Sequence, residues 1–311
     1  MPTKDDSAHA DRIKPSEAEA ACKPSAPKRT SSKPGPGLYI VATPIGNARD
    51  ITLRALDVLG GANVVLCEDT RVTGKLFSIH QISNSLLAYH EHNARRMRPL
   101  IIERLKKGES VALVSDAGTP LVSDPGYRLV EACVEEGVPL TTLPGASSVL
   151  CALVLSGLPT DRFFFQGFLP NKSGQRRTAL GGLTDIPGSL VFLESAKRLT
   201  ASLSDMNDVL GDRPAAVTRE LTKLYEEVRR GSLAELAEYY ADNGPPKGEV
   251  TLVIGPLASE AAPQGEALDR LILEALETLA VREAASALAK QLGLPKRQIY
   301  NRALELKSVS E

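Results

Sequence analysis

Leu38–Asn47 (LYIVATPIGN) and Leu113–Tyr127 (LVSDAGTPLVSDPGY) are the two stretches that decide the fold. Each begins with a short apolar run, which indicates a buried strand, and then breaks into Gly, Pro and small polar residues. Leu143–Ser148 (LPGASS) repeats this pattern and opens a helical segment. Because parallel strands end at one edge of a sheet, we expect the three turns to form a ligand cleft there.

Each turn taken alone also has an ordinary explanation. The Thr43–Asn47 turn could simply join a strand to a helix, the Ser115–Gly126 segment could cap the next helix, and Ser147 could be a helix N-cap. Three such turns after three strands favour the cleft. The chain contains no Walker A, HExxH or GxSxG motif, which argues against P-loop NTPases, zinc peptidases and serine hydrolases.

Working outward, apolar strands alternate with helical patterns, which predicts an α/β fold with a parallel sheet covered on both faces. After a break at Gly157–Thr160, the strand candidates 215–219 and 225–229 lie too close for an intervening helix, so that sheet should be mixed. We expect a disordered polar tail over 1–36, α/β subdomains over 37–158 and 159–256, and a helical basic module over 266–311.

Composition limits the function classes. The 311 residues carry a net charge of −1, so any nucleic-acid site must be a local basic patch. No apolar run is long enough for a transmembrane helix, and no secretory signal is visible, which favours a cytoplasmic protein. The scattered cysteines and the His90-Glu91-His92 segment lack metal-ligand spacing, so we predict no metal site.

The segment Glu68-Asp69-Thr70-Arg71 places two carboxylates and a guanidinium after another strand. It could position a substrate and accept a proton, or it could be a helix N-terminus with a salt bridge.

The C-terminal end concentrates positive charge, with six bases against three acids over 281–311. Two short amphipathic helices separated by Gly293-Leu294-Pro295 have the spacing of a helix-turn-helix. A small helical cap with a solvated basic face is the alternative.

Eight motifs in this order give the chain a family resemblance. They are LYIVATPIGN (38–47), EDTR (68–71), LVSDAGTPLVSDPGY (113–127), LPG (143–145), GFLP (167–170), ESAKRL (194–199), RELT (219–222) and KGE (247–249). The set resembles the bacterial 16S rRNA 2′-O-ribose methyltransferases, which belong to the tetrapyrrole methylase (class III) superfamily. The resemblance extends from about residue 37 to residue 308.

This resemblance implies a homodimer in which S-adenosyl-L-methionine lies folded between two α/β subdomains. The implied cofactor-binding residues are Pro44, Ser115, Asp116, Ala117, Gly118, Thr119, Ser147, Ser148, Leu193, Glu194 and Ala216. The candidate catalytic residues are Asp69, Arg71 and Asp116, with Asp69 the first choice as proton acceptor.

The implied substrate is a cytidine ribose in the decoding region of small-subunit rRNA, within the assembled small ribosomal subunit. The candidate RNA-binding residues are Arg282, Lys290, Lys296, Arg297 and Arg302. Two alternatives stay open: a tetrapyrrole-precursor C-methyltransferase on the same scaffold, and a non-catalytic ribosome-binding protein. The basic C-terminal segment and the EDTR motif argue against the first, because a small macrocycle needs no RNA-binding appendage.

Overall fold

Two β-sheets and a C-terminal group of helices make up the described part of the chain. The structure is a computed structural model and describes residues 33–257, 265–292 and 294–310. Most of the tail predicted over 1–36 therefore lies outside the described residues. Within those ranges, every helix is too short or too polar to cross a membrane.

The first half of the chain alternates strands with helices. In chain order the elements are β1 (Gly37–Val41), α1 (Leu53–Gly61), β2 (Val64–Cys67), α2 (Thr70–Ile79), β3 (Leu86–Ala88), α3 (Glu91–Lys106), β4 (Ser110–Leu113), α4 (Tyr127–Glu135), β5 (Leu140–Leu143) and α5 (Ser148–Ser156). The strand order is β3-β2-β4-β1-β5, and all pairs are parallel. The predicted parallel sheet is confirmed, and its strands end at one edge.

Helices cover both faces of this sheet. Strands β2 and β4 are buried at every residue, as expected for strands between two helical layers. On one face α1 and α2 contribute Leu59 and Phe77 to the core, and on the other α3 and α4 contribute Ile101 and Leu129. These helices cover the faces of the sheet and leave its carboxyl edge, where the turns lie, free to contact other parts of the chain.

Two helices begin where side chains cap them. Helix α2 was not among the predicted helices, although a helix N-terminus was one alternative for the EDTR segment. Its N-cap is Asp69, whose carboxylate accepts a hydrogen bond from the Arg71 N–H. This confirms the alternative that the EDTR segment is a helix N-terminus. Helix α3 begins at Glu91, where the Asn93 side chain accepts a hydrogen bond from the His90 N–H at 3.0 Å.

The second half forms a mixed sheet. In chain order its elements are β6 (Phe163–Phe168), α6 (Ser173–Gly181), β7 (Ser189–Ser195), a 3-10 turn (Ala196–Arg198), α7 (Leu199–Leu210), β8 (Pro214–Arg219), β9 (Glu227–Ser232), α8 (Leu233–Asn243) and β10 (Glu249–Ile254). The strand order is β6-β7-β10-β8-β9. Only β6 and β7 pair in parallel. The predicted antiparallel pairing of β8 with β9 is confirmed.

Helix α5 joins the two halves through an apolar interface. It follows β5 of the first sheet, yet its Val149 and Leu153 pack against Val191 of β7 and Val253 of β10. Because α5 continues from β5 and packs on the second sheet, the carboxyl edge of the first sheet lies against the second sheet.

The C-terminal helices share a small core of their own. They are α9 (Glu266–Leu276), α10 (Val281–Leu292) and α11 (Lys296–Ser310). Ile272 of α9, Ala285 of α10 and Ile299 of α11 meet in this core. The two helices predicted on either side of residues 293–295 are confirmed.

Candidate functional site

The three strand-following turns are hydrogen-bonded to one another. Thr43 and Gly118 exchange backbone hydrogen bonds of 2.9 and 3.0 Å, and the Thr43 hydroxyl donates to the Ser115 carbonyl at 3.1 Å. The Thr119 hydroxyl donates to the Ala146 carbonyl, also at 3.1 Å. The expectation that these turns meet at one edge is confirmed.

The first turn also contacts the second half of the chain. Gly46 lies so close to the RELT loop that an added Cβ would sit 2.5 Å from Lys223 Cγ and 2.8 Å from the Leu221 carbonyl oxygen. Beside it, Ile45 and Leu221 belong to the apolar interface that α5 completes. The glycine therefore permits a close approach that a larger residue would prevent.

A cavity of about 460 Å³ lies between these turns and the second sheet. Its walls are formed by Ile45, Asp116, Ala117, Val122, Ser123, Asp124 and Ser148 from the first half, and by Phe168, Leu193, Glu194, Ser195, Ala196, Leu221, Gly248, Glu249, Val250 and Thr251 from the second. This volume is within the range of about 300–1,000 Å³ for small-molecule sites. Both apolar side chains and carboxylates line the cavity, which suits a ligand that is part aromatic and part cationic.

Several predicted cofactor-binding residues line this cavity. They are Asp116, Ala117, Ser148, Leu193 and Glu194. Five more predicted residues lie in the turns that build the cavity: Pro44, Ser115, Gly118, Thr119 and Ser147. The Ser147 side chain accepts from the Leu150 N–H as the N-cap of α5, as its alternative interpretation proposed. Ala216 is buried within β8, opposite Val253 of β10, and is not among the lining residues.

Several lining residues were not among the predicted site residues. Ser123 and Asp124 follow the SDAGTP motif, Leu221 lies in RELT, and Gly248 and Glu249 lie in KGE. All belong to motifs that carry the resemblance, so the motif boundaries were the available signal. The helix-capping alternative for Ser115–Gly126 fails, because α4 begins after Gly126, which has no side chain to cap it.

Asp69 and Asp116 are directly connected. The Asp69 N–H donates to Asp116 Oδ1 at 3.0 Å, while the Asp69 carboxylate accepts from the Arg71 backbone at 2.8 Å and its guanidinium at 2.6 Å. These bonds from Arg71 lower the pKa of Asp69 to about 2. Asp69 is thus held as an anion that caps α2 and pairs with Arg71, whereas Asp116 faces the cavity.

The pKa values of Asp124 and Glu68 are raised, whereas the pKa of Asp69 is lowered. Burial, together with the neighbouring charges of Glu68 and Asp116, raises the pKa of Asp124 to about 6, although a hydrogen bond with Ser115 opposes the shift. Burial and Asp116 also raise the pKa of Glu68. A carboxylate with a raised pKa at the wall of a cavity is a candidate proton acceptor.

Glu194 supports the wall from within the protein. Its carboxylate is buried and accepts hydrogen bonds from the Ser202 hydroxyl at 2.5 Å and the Ser195 N–H at 2.7 Å, and it pairs with Arg198 at 3.1 Å. These partners fix the end of β7 beside the cavity. Among the described residues, no group of three or more His, Cys, Asp or Glu side chains could hold a metal ion.

The predicted RNA-binding residues fall into two groups: four are exposed, and Arg302 forms ion pairs. Arg282, Lys290, Lys296 and Arg297 are exposed on α10 and α11. Arg302 instead pairs with Asp269 of α9 at 2.6 Å and with Glu305 at 2.7 Å. Its guanidinium therefore ties α11 to α9.

Two family matches cover most of the chain. Residues 37–237 match the Tetrapyrrole (Corrin/Porphyrin) Methylases, and residues 261–307 match the RsmI C-terminal HTH domain. The second match agrees with the helix-turn-helix spacing of α10 and α11.

Curated relatives match over nearly their full length. The Ribosomal RNA small subunit methyltransferase I of Mesorhizobium japonicum is 50% identical over 276 residues, which cover 88% of this chain and 94% of the relative. The protein of the same name from Erythrobacter litoralis is 50% identical over 273 residues, covering 88% and 96%. That from Escherichia coli O157:H7 is 43% identical over 271 residues, covering 86% and 94%.

Solved structures share the fold at low identity. A diphthine synthase matches with a TM-score of 0.56 at 18% identity, covering 70% of this chain and 89% of that one. The uroporphyrin-III C-methyltransferase of Thermus thermophilus, complexed with S-adenosyl homocysteine, matches with a TM-score of 0.50 at 22% identity, covering 70% and 97%. Fold, family matches and relatives agree: the chain belongs to the tetrapyrrole methylase family and, within it, to the ribosomal RNA small subunit methyltransferase I proteins.

Proposed function

We propose that this protein methylates the ribose 2′-oxygen of a cytidine in the decoding region of small-subunit rRNA, with S-adenosyl-L-methionine as the methyl donor. The observation that carries the proposal is the cavity between the three linked turns and the second sheet. The relatives' shared name supplies the substrate class, rRNA of the small subunit.

The cavity has the chemistry that this cofactor requires. Asp116 and Asp124 place negative charge where a cationic sulfonium would be stabilised, and Ile45, Phe168 and Leu221 offer apolar surface for an adenine ring. When bound, S-adenosylmethionine supplies a methyl group activated by a positive sulfur. Pro44, the Ser115–Thr119 loop, Ser147, Ser148, Leu193, Glu194 and Ala216 are the residues that we propose hold or support it.

The protein's own contribution is alignment and proton acceptance. A ribose hydroxyl is a weak acid, so a nearby carboxylate would assist its attack. The sequence predicts Asp69 and Asp116 as candidates for this role; Asp69 is paired with Arg71, which orients it, and Asp116 faces the cavity. Asp69 donates its N–H to Asp116, which lines the cavity, so Asp69 contacts the cavity wall through Asp116.

RNA recognition is assigned to the C-terminal helices. Exposed Lys296 and Arg297 at the start of α11, with Arg282 and Lys290 on α10, form a basic surface suited to phosphates. We further propose that the substrate is the assembled small subunit and that the enzyme is a cytoplasmic homodimer. Leu150 and Val154, exposed on one side of α5, offer apolar surface to a second copy.

The deciding experiment incubates the enzyme and labelled S-adenosylmethionine separately with unmodified small ribosomal subunits, free small-subunit rRNA and a tetrapyrrole precursor, and measures methyl transfer to each. Label on a cytidine 2′-oxygen of the subunit is expected. Label on the macrocycle would support the C-methyltransferase alternative, which the relatives do not favour. Cofactor binding without transfer to any acceptor would favour a non-catalytic ribosome-binding protein.

A further inference from the structure

A second cavity, of about 580 Å³, lies beside the first, at the N-terminal ends of α3 and α4. Its lining includes Glu68, Tyr89, Arg95, Arg98, Tyr127 and Arg128. Ser123 and Asp124 line both cavities and form the wall between them. Any group bound in the second cavity near Asp124 is therefore a neighbour of a group bound in the first.

The second cavity has the side chains that bind a nucleotide strand. Arg95 and Arg98 present guanidinium groups, which bind phosphate oxygens in pairs, whereas the Arg128 guanidinium is paired with Glu131 at 2.9 Å. Tyr127 is 61% exposed, and the Arg128 guanidinium lies 5.6 Å from its ring centroid, which makes a planar platform for stacking a base.

One buried hydroxyl in this wall has no hydrogen-bond partner among the described residues. Tyr89 is 1% exposed, and its hydroxyl makes no hydrogen bond to any residue that the structure describes. Burial raises the pKa of Tyr89, which keeps the hydroxyl protonated and able to donate. Buried polar groups are normally paired, so an unpaired one in a cavity wall points to a polar ligand.

We infer that the second cavity binds the acceptor nucleotide of the RNA substrate, with its phosphates on Arg95 and Arg98 and its ribose 2′-hydroxyl at Asp124. The inference rests on the proposed function, because an RNA acceptor brings a phosphate and a reacting hydroxyl together. In this arrangement Asp124 lies between the acceptor nucleotide in the second cavity and the methyl donor in the first.

The position of Asp124 defines the chemistry. Its carboxylate accepts the 2′-hydroxyl proton as the 2′-oxygen forms a bond with the methyl carbon. The bond from that carbon to sulfur breaks with its electron pair left on sulfur, so the products are the methylated ribose, a neutral thioether and a protonated Asp124. A carboxylate with a pKa of about 6 is a stronger base than an ordinary Asp, yet it is still mostly ionised at neutral pH and above.

The groups around Asp124 come from several elements. Glu68 follows β2, Ser115 and Asp116 follow β4, and the arginines of α3 and α4 line the same cavity. The two acidic neighbours raise the pKa of Asp124, and Ser115 opposes them.

The first test measures RNA affinity without turnover. The double variant Arg95→Ala/Arg98→Ala should bind a labelled small-subunit rRNA fragment at least tenfold more weakly at fixed salt, and bind S-adenosylhomocysteine as the wild type does. The matched control, Arg54→Ala/Lys75→Ala, removes two positive charges from α1 and α2 on the opposite face of the first sheet and should leave RNA affinity unchanged. Equal RNA affinity in the double variant and the wild type would overturn the inference.

The second test concerns Asp124. Asp124→Asn should lower kcat by about 100-fold while RNA and S-adenosylhomocysteine affinities stay within twofold, and the wild-type kcat should fall as pH drops through about 6. A wild-type profile without this acidic limb, an unchanged kcat in the variant, or loss of S-adenosylhomocysteine binding would each refute the role of Asp124. Absence of any label on ribose with the wild type would refute the proposed function itself.

Discussion

The backbone N–H of Asn47 donates a hydrogen bond to Thr222 Oγ1 at 3.0 Å across 175 residues of sequence. Asn47 ends the turn after β1, and Thr222 lies in the loop after β8. Their neighbours Ile45 and Leu221 both line the proposed cofactor cavity. Thr222 has a φ of 61°, a conformation that is rare for a β-branched residue, so the contact holds a strained loop in place.

Gly46→Ala should disrupt this contact. The added Cβ would lie 2.5 Å from Lys223 Cγ and 2.9 Å from Thr222 Oγ1, so the turn and the loop must move apart. Because Ile45 and Leu221 move with them, S-adenosylhomocysteine should bind roughly tenfold more weakly, a loss of about 1.4 kcal/mol. Isothermal titration calorimetry measures this directly.

Gly60→Ala is the matched control for that variant. Gly60 lies within α1, and a Cβ there meets no atom within 4 Å. The substitution should leave the affinity unchanged and raise stability by up to about 1 kcal/mol, since alanine favours helix. Equal affinities in both variants would show that the Gly46 contact does not shape the cavity.

Asp116→Ala should weaken cofactor binding, because Asp116 both lines the cavity and accepts the Asp69 N–H. Asp116→Asn separates these two roles, since its amide oxygen can still accept that bond. If charge attracts the sulfonium, the Asn variant should bind S-adenosylmethionine more weakly but neutral S-adenosylhomocysteine nearly normally. Unchanged binding of both ligands to the Ala variant would remove Asp116 from the site.

Lys296→Ala/Arg297→Ala should reduce the salt dependence of RNA binding. Both side chains are exposed at the start of α11, and each phosphate contact adds about one unit to the slope of log K against log salt concentration. Filter binding of small-subunit rRNA at several salt concentrations gives the slope.

Arg302→Ala is expected to act differently, because Arg302 pairs with Asp269 and Glu305 within the helical group. This variant should lower the thermal stability of the C-terminal helices. A change in RNA slope without a change in stability would instead place Arg302 on the RNA surface.

The sequence predicted the sheets well because their signals are local. Apolar runs such as Val111–Leu113 and the short spacing between β8 and β9 specify strands and pairing without knowledge of distant contacts. For helix α2, the EDTR segment indicated only a possible start, which the Asp69 cap bears out; its extent over Thr70–Ile79 was not predicted.

The site was predicted less completely, for a physical reason. That Asp116 and Leu193 line one cavity followed from the family resemblance, but the raised pKa of Asp124 depends on the burial and charges that Glu68 and Asp116 provide after folding. Likewise, the unpaired hydroxyl of Tyr89 is a property of its packed surroundings. Such features arise between segments far apart in sequence.

Asp124→Asn should make the folded protein more stable above neutral pH. The folded pKa of Asp124 is about 6, above the ordinary value of 3.8, so the folded state disfavours its ionised form. The wild type therefore loses stability as pH rises from about 4 to about 6, and this loss persists at higher pH. The neutral Asn avoids it, so its melting temperature should exceed that of the wild type at pH 8 and converge with it near pH 4. A variant that melts lower at pH 8 would mean that the hydrogen bond with Ser115 outweighs the charge. A higher melting temperature together with a lost kcat would show that the protein keeps a destabilising carboxylate for its chemistry.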